Sequence, residues 1–386
     1  MSHYKKALFI ILNLLLLSVL LYSNNYSNII FYIVAHQDDW QLFVGDLAYE
    51  DIMSDSSKVV FIYTTAGESN LGESYWRARE KGCIESIRFI KGMYSFSGSD
   101  VEYYGQDTIK NHIISYYKYA NTSSYFLRIP NNRLSDIENG ISHYTVDNTS
   151  IFQNWDDLYS TIYDLINTET SQINDIQIFS HEPDPELNPS SHIDHRVTGR
   201  LTLQIKDSIN CNVLLFKDYT TYSSYNSNLP VNLDMFSIMN KAGLFLSYDK
   251  KVYDECQHCT TCEPLGYHYT QWLFRTYISR ELFSDSSEVI QNNKLNIVPN
   301  QYILYQNYPN PFNQKTVLSF DLNNESKVLL TIYAPNGKLI ETIENRILPK
   351  GHYNYSWYPN DISSGIYFYK LRVNNSYTVK KCILLK

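Results

Sequence analysis

Basic residues are the first shortage. Lysine and arginine total 32 against 40 aspartates and glutamates, a formal net charge of −8. Nowhere do they gather into a patch able to hold a polyanion, which argues against a nucleic-acid partner. Long hydrophobic runs are missing too. The stretch Ala7 to Leu21 follows Lys5 and Lys6 and gives way to Ser23-Asn24-Asn25. It falls short of the roughly 20 residues of a spanning helix and has the basic, apolar and polar regions of a secretory signal. Residues 1–24 are therefore expected to be a signal peptide, with a retained single anchor as the alternative. No cysteine follows the run, so a lipoprotein anchor is not indicated.

Cysteine is scarce, with six in 386 residues, and an exported chain meets an oxidising environment. Cys256, Cys259 and Cys262 form a C-x-x-C-x-x-C run around His258. Two readings stay open: one or two disulfides tying down a loop, or a second, structural metal site completed by Cys211 or His258. Cys83 falls in helical spacing and Cys382 in a strand-like pattern, where a lone thiol acts as a small buried hydrophobe. Tyrosine, by contrast, is abundant at 35 residues. With Asn and Ser it makes polar, aromatic surfaces that suit stacking on carbohydrate, unless it reflects compositional bias alone. The 44% hydrophobic content is ordinary for a globular protein, and the length allows two domains.

Ile29-Ile30-Phe31-Tyr32-Ile33 reads as a buried strand, and Val34-Ala35-His36-Gln37-Asp38-Asp39-Trp40 follows directly. Open α/β sheets hold ligands outside the carboxyl ends of their strands. A second apolar run, Ile176-Gln177-Ile178-Phe179, leads through a polar, Pro-containing loop that begins Ser180-His181-Glu182-Pro183 to His192-Ile193-Asp194-His195. His36 and Asp39 suit Zn²⁺ held by three protein groups and a water. The His192-Ile193-Asp194-His195 cluster is the source of the third ligand, and Asp38 would stand beside the water as general base. The two clusters meet only if their strands are near neighbours in one sheet. Helices are expected over 41–53, 74–91, 156–166 and 196–205, strands over 58–63, 101–104 and 124–129, and a helix or loop around Tyr116. This alternation implies an α/β, Rossmann-like and mostly parallel sheet with right-handed crossovers and helices on both faces. His268, within Tyr267–Trp272, is a weaker candidate for the pocket wall.

Ala35-His36-Gln37-Asp38-Asp39 paired with His192-Ile193-Asp194-His195 resembles the PIG-L/LmbE family of zinc-dependent N-deacetylases, whose usual signature is A-H-P-D-D-E with a later H-x-D-H. Gln37 stands where the family commonly has Pro, and Trp40 where it has Glu; neither change removes a ligand or the base. The resemblance implies a deacetylase domain over residues 25–290. It also implies one Zn²⁺ on His36, Asp39 and His195, replaceable by another divalent metal, with Asp38 as base and His192 stabilising the oxyanion. The substrate would be an N-acetylglucosamine-type sugar or glycoconjugate. Arg77 and Glu80 match an R-x-x-E feature in which the arginine reaches toward substrate; an i,i+3 surface pair is the plain alternative. An amidase acting on a non-sugar amide or a thiol conjugate would use the same site. A glycan-binding surface protein without turnover would not need a base beside the metal's water.

Gln291-Asn292-Asn293-Lys294 opens a polar linker over residues 291–302. Beyond it, short alternating strands over 317–320, 328–333 and 365–371, with turns such as Pro349-Lys350-Gly351, predict a small all-β sandwich. Tyr308-Pro309-Asn310-Pro311-Phe312-Asn313, Ile332-Tyr333, Ser364-Gly365-Ile366-Tyr367 and Lys380-Lys381 resemble the C-terminal sorting domain of the type IX secretion system. An immunoglobulin-like sandwich is expected over residues 303–386. The resemblance implies that the chain engages the type IX machinery, crosses an outer membrane and ends secreted or at the cell surface. A carbohydrate-binding sandwich is the alternative.

Overall fold

The computed structural model describes residues 26–54, 56–92, 101–170, 173–189, 191–218, 231–256, 272–283, 302–335, 338–359, 362–374 and 376–385. The expected signal peptide, nearly all of the linker, His258, Cys259, Cys262 and His268 lie outside these residues. The chain divides into two compact units, Met1–Leu229 with Lys241–Ile290, and Pro230–Asn240 with Gln291–Lys386.

In chain order the first elements are β1 (Asn28–Val34), α1 (Asp39–Met53), β2 (Ser57–Thr65), α2 (Glu73–Gly92), β3 (Tyr103–Ile109), β4 (His112–Tyr119) and β5 (Thr122–Ile129). They are followed by α3 (Leu134–Glu138), β6 (His143–Tyr144), β7 (Ile151–Phe152), α4 (Trp155–Thr170), β8 (Ile176–His181), α5 (Ile193–Lys206), β9 (Asn212–Phe216), α6 (Met235–Glu255) and β10 (Ile278–Leu282). Eight strands make one sheet in the order β10-β9-β8-β1-β2-β5-β4-β3. β9, β8, β1, β2 and β5 are parallel to their neighbours in this run. Antiparallel strands close both edges. The chain moves outward from β1 through β2 to β5, then returns to β8 on the other side of β1. β1 and β8 therefore flank the switch point of the sheet, where α/β sheets open a crevice.

The central strands are apolar on both faces because both faces are covered. Phe31, Ile33, Val60, Ile62, Ile178 and Val213 share a core with Leu158 and Ile162 of α4 and Val197 and Leu201 of α5. On the other face, aromatic rings stack across the strands: Phe179 on Tyr32 at 4.8 Å, Tyr32 on Phe61 at 5.3 Å and Tyr63 on Phe126 at 5.1 Å. Trp40 of α1 lies 4.7 Å from Phe61. Cys83 and Cys211 are buried thiols, and Cys211 belongs to the core shared with α4 and α5. Among the described residues no helix is long and apolar enough to cross a membrane.

The region around Tyr116 is a strand, not the expected helix or loop. β4 pairs antiparallel with both β3 and β5. The β3–β4 turn runs through Lys110 and Asn111, both at positive φ (51° and 73°). Two central residues at positive φ are what a tight primed hairpin turn needs, but Lys-Asn lacks the glycine that usually announces one.

In the second unit, β11 (Tyr302–Leu304), β12 (Thr316–Leu322) and β15 (Gly351–Trp357) form one antiparallel sheet. β13 (Ser326–Tyr333), β14 (Leu339–Leu348), β16 (Gly365–Val373) and β17 (Ser376–Leu384) form another. β12 buries every second residue, as a strand with one face on a core must. Leu318, Phe320 and Leu322 meet Val328, Leu330, Ile332, Tyr369 and Leu371 in that core, with Phe312, Trp357 and Cys382.

Candidate active site

β1 and β8 are paired as far as Ile33 and Ser180, so whatever follows each strand emerges at the same end of the sheet. Asp39 is the first residue of α1, His192 caps α5, and His195 lies in the first turn of α5. Two helix N-termini thus point their partial positive charge into one crevice, which favours carboxylates there. Gly67, at φ 59°, turns the chain after β2; a Cβ on it would stand 2.6 Å from Nη1 of Arg79.

The structure brings His36, Asp39, His192 and His195 together. Nδ1 of His36 lies 2.9 Å from Nε2 of His195. Oδ1 of Asp39 lies 3.2 Å from that Nε2 and 3.6 Å from that Nδ1. An edge of a tetrahedral site with ligands ~2.1 Å from the ion is about 3.4 Å, so the spacing suits a divalent metal. His192 joins with a ligand atom within 4.8 Å of those of His36 and His195.

The polar groups on the far sides of the rings fix what faces inward. Nε2 of His36 meets the carbonyl oxygen Oδ1 of Asn131 at 3.0 Å, so Nε2 carries the proton and Nδ1 presents its lone pair. Nδ1 of His195 faces the Asp218 carboxylate at 3.2 Å, leaving Nε2 as its lone-pair nitrogen. Two lone pairs and a carboxylate oxygen therefore confront one another, an arrangement that requires a proton or a cation between them. Oδ1 of Asp194, buried beside this cluster, has no hydrogen-bond partner among the described residues.

Charge follows the same logic. Burial works against protonation of His36, but Asp39 and a hydrogen bond to Asp194 raise its pKa to about 9. Burial likewise opposes charge on His195, yet Asp39 and Asp218 hold it well above the usual imidazole range. Asp39 is held well below the carboxylate range by His195, His36 and His181, against its own burial. The carboxylates call for positive charge, but two imidazolium rings 2.9 Å apart would repel; one divalent ion among the lone pairs meets the demand without that repulsion. The residues present thus fit a metal, which His36, Asp39 and His195 could hold.

Asp38 stands beside the cluster and makes no side-chain cap to α1. Its Oδ1 accepts from Nη2 of Arg79, a buried residue whose Nη1 donates to the Gly67 carbonyl at 2.7 Å and whose Nε donates to the Tyr248 hydroxyl at 2.9 Å. Arg77, expected near substrate, is not brought to the cluster: its Nε donates to Glu73 at 2.6 Å on the exposed side of α2. Nor does Glu80 pair with Arg77; it accepts from Nε and Nη2 of Arg128 at 2.7 and 2.8 Å. Helix phase explains this, since residues 76, 79, 80 and 83 share the buried side and 77 does not. Gln37 donates to the Thr65 carbonyl at 3.0 Å and Trp40 to the Tyr63 hydroxyl at 3.0 Å, so both departures from the expected motif are absorbed into packing.

His192 accepts at Nδ1 from the backbone N–H of Asp194 at 3.2 Å, which leaves the proton on Nε2. Burial and the neighbouring charges of His36 and His195 depress its pKa to about 4, so it is a neutral hydrogen-bond donor. Two residues escaped the sequence reading as site members, His181 at the end of β8 and Asp218 after β9. Cys256 is buried, its Sγ 3.7 Å from the Ser74 carbonyl.

The chain thus carries a mostly parallel α/β sheet with a His/Asp cluster at its switch point and, after it, an antiparallel sandwich. Residues 31–206 match the family described as GlcNAc-PI de-N-acetylase, PIG-L, and residues 306–385 match the secretion system C-terminal sorting domain. The first match supports a deacetylase, and the second indicates type IX export to the cell surface or beyond. Among solved structures, N,N'-diacetylchitobiose deacetylase from Pyrococcus horikoshii is similar at 14% identity and TM-score 0.36, covering 74% of this chain and 94% of that one. A deacetylase–teicoplanin complex from the teicoplanin biosynthesis pathway gives 13% identity and TM-score 0.36, covering 62% and 95%. GalB, the 4-carboxy-2-hydroxymuconate hydratase from Pseudomonas putida KT2440, gives 12% identity and TM-score 0.34, covering 64% and 82%. No curated protein matches the sequence.

Proposed function

We propose that the first unit is a zinc-dependent hydrolase that removes the N-acetyl group from an N-acetylglucosamine-type amino sugar or glycoconjugate. The observation that carries this reading is the meeting of the His36 and His195 lone pairs with Asp39, next to a second carboxylate, Asp38, that Arg79 holds. When bound, the metal would polarise the acyl carbonyl and make the attacking water more acidic. Two imidazoles and one carboxylate are a donor set for which zinc is a suitable ion.

The remaining steps belong to the chain's own side chains. Asp38, held in place by Arg79, takes the proton from the attacking water as the tetrahedral adduct forms. His192 donates its Nε2–H to the developing oxyanion. Collapse of the adduct expels the amine, which recovers the proton that Asp38 took. The sugar assignment leans on the matched family's description, which names GlcNAc.

Acetate and free amine, measured together by mass spectrometry, test this on a panel of N-acetylglucosamine, N,N'-diacetylchitobiose, a GlcNAc–inositol conjugate, a non-sugar N-acetyl amide and an N-acetylated thiol conjugate. One-to-one release from one or more of the sugars is expected. Release only from the amide or thiol conjugate would replace the substrate class. Glycan binding without any acetate would make the protein a binder.

A further inference from the structure

Asp218 lies two residues beyond β9 and is fully buried. Its Oδ2 accepts from Nδ1 of His181. Its Oδ1 accepts from Nδ2 of Asn188 at 3.1 Å and from the Ser191 hydroxyl. That same oxygen is 3.2 Å from Nδ1 of His195, off the line of a hydrogen bond, so this contact is one of charge. The backbone N–H of Asp218 donates to Oδ1 of Asn188 at 3.1 Å, which pins the residue from the main chain as well. One anion thus faces the Nδ1 side of two imidazoles, whose rings stack 4.1 Å apart and nearly parallel.

With Nδ1 turned to Asp218, both Nε2 atoms face Asp39, one on each carboxylate oxygen. Nε2 of His195 lies 3.2 Å from Oδ1, and Nε2 of His181 lies 3.1 Å from Oδ2. His181 is also tied to the β1 exit, 3.3 Å from the backbone N–H of Ala35. Oδ2 of Asp39 further accepts from the backbone N–H of His36 at 2.7 Å. Asp39 therefore has one oxygen held by the His36 N–H and the other directed at His36 and His195.

We propose that Asp218 and His181 are positioning residues of the candidate metal centre. Asp218 turns Nε2 of His195 inward, and through His181, whose Nε2 accepts from the Ala35 N–H, it braces the β1 exit that carries His36 and Asp39. This rests on reading the site as a metal centre. Groups that orient a metal-binding histidine or carboxylate from behind are worth about 10–100-fold in metal affinity.

The test uses the full-length protein with Zn²⁺ as probe. Affinity is read by competition with a chromophoric chelator, beside the melting temperature of each metal-free form. Asp218→Asn, which offers an amide N–H where the histidines need an acceptor, should weaken Zn²⁺ binding about 10–100-fold. His181→Gln keeps a nitrogen near Nε2 but cannot reach Asp218, and should weaken it on the same scale. A purely structural role would lower the metal-free melting temperature and leave the affinity of the folded variants unchanged, which overturns the proposal. Should neither variant fold, ¹⁵N-histidine spectra of the metal-loaded wild type decide: Nδ1–H on both His181 and His195 supports the arrangement, and Zn²⁺ on Nδ1 of His195 overturns it. Wild-type protein that binds no Zn²⁺ overturns the site reading and this proposal with it; equal, tight binding in all three proteins overturns this proposal alone.

Discussion

Asp38 and Asp39 are adjacent in sequence and differ in everything around them. Asp39 faces three histidines and a backbone N–H, whereas the Asp38 carboxylate is held by Arg79. If Asp38 only began the helix, asparagine would serve as well; its side chain makes no such cap. Asp38→Asn keeps the size and the polarity but cannot accept a proton. Its kcat should fall by about 10²–10⁴, with KM and metal content little changed. Kinetics and zinc content on one preparation check this, and near-normal turnover would remove Asp38 from the chemistry. At this scale, residues were legible where they cluster: His36 with Asp38 and Asp39, and His192 with His195, each directly behind or shortly after an apolar run. His181 and Asp218 carry no such signal. His181 ends β8 and Asp218 lies two residues beyond β9, and only the strand order β9-β8-β1 sets them beside Asp39. Arg79 was missed for a different reason, because choosing between residues 77 and 79 requires knowing which side of α2 is buried.

At the scale of elements, the strong periodic runs were readable and the tyrosine-rich ones were not. β1, β2, β5 and β8 stand out as β-branched and aromatic runs, and α2, α4 and α5 as amphipathic ones. β4 was hidden by its Lys-Asn turn. The α4 end contributes a second electrostatic feature. Glu169 accepts from the Tyr125 hydroxyl, pairs with Lys58 and lies 3.6 Å from Nζ of Lys118. Burial pushes its pKa up, but Lys58, Tyr125 and Lys118 together bring it below the ordinary glutamate value of 4.5. A carboxyl with a lowered folded pKa stabilises the fold above its unfolded pKa, and that contribution is lost as pH falls through the folded value. Urea midpoints measured from pH 6 down to about pH 2 should therefore drop in the acid limb, and Glu169→Gln should flatten that drop while lowering stability at neutral pH. An unchanged acid limb in the variant would assign the loss to other carboxylates.

For the whole molecule, the α/β sheet followed by a β-sandwich was readable because the hydrophobic period changes along the chain. The candidate site draws on residues from His36 to Asp218, and none lies in the sandwich strands. A chain ending at residue 295 should therefore stay folded and active in vitro, while losing delivery in cells that export through the type IX system. A truncated protein that is soluble, metal-loaded and inactive would give the sandwich a part in catalysis.

The central claim is that His36, Asp39 and His195 hold a metal on which deacetylation depends. Zinc content and acetate release, measured on the same full-length preparations of wild type and His195→Ala, test it most directly. About one zinc per chain and steady acetate release are predicted for the wild type, with both lost together in the variant. Unchanged zinc in His195→Ala, or undiminished acetate release from chelator-stripped wild type, would contradict it.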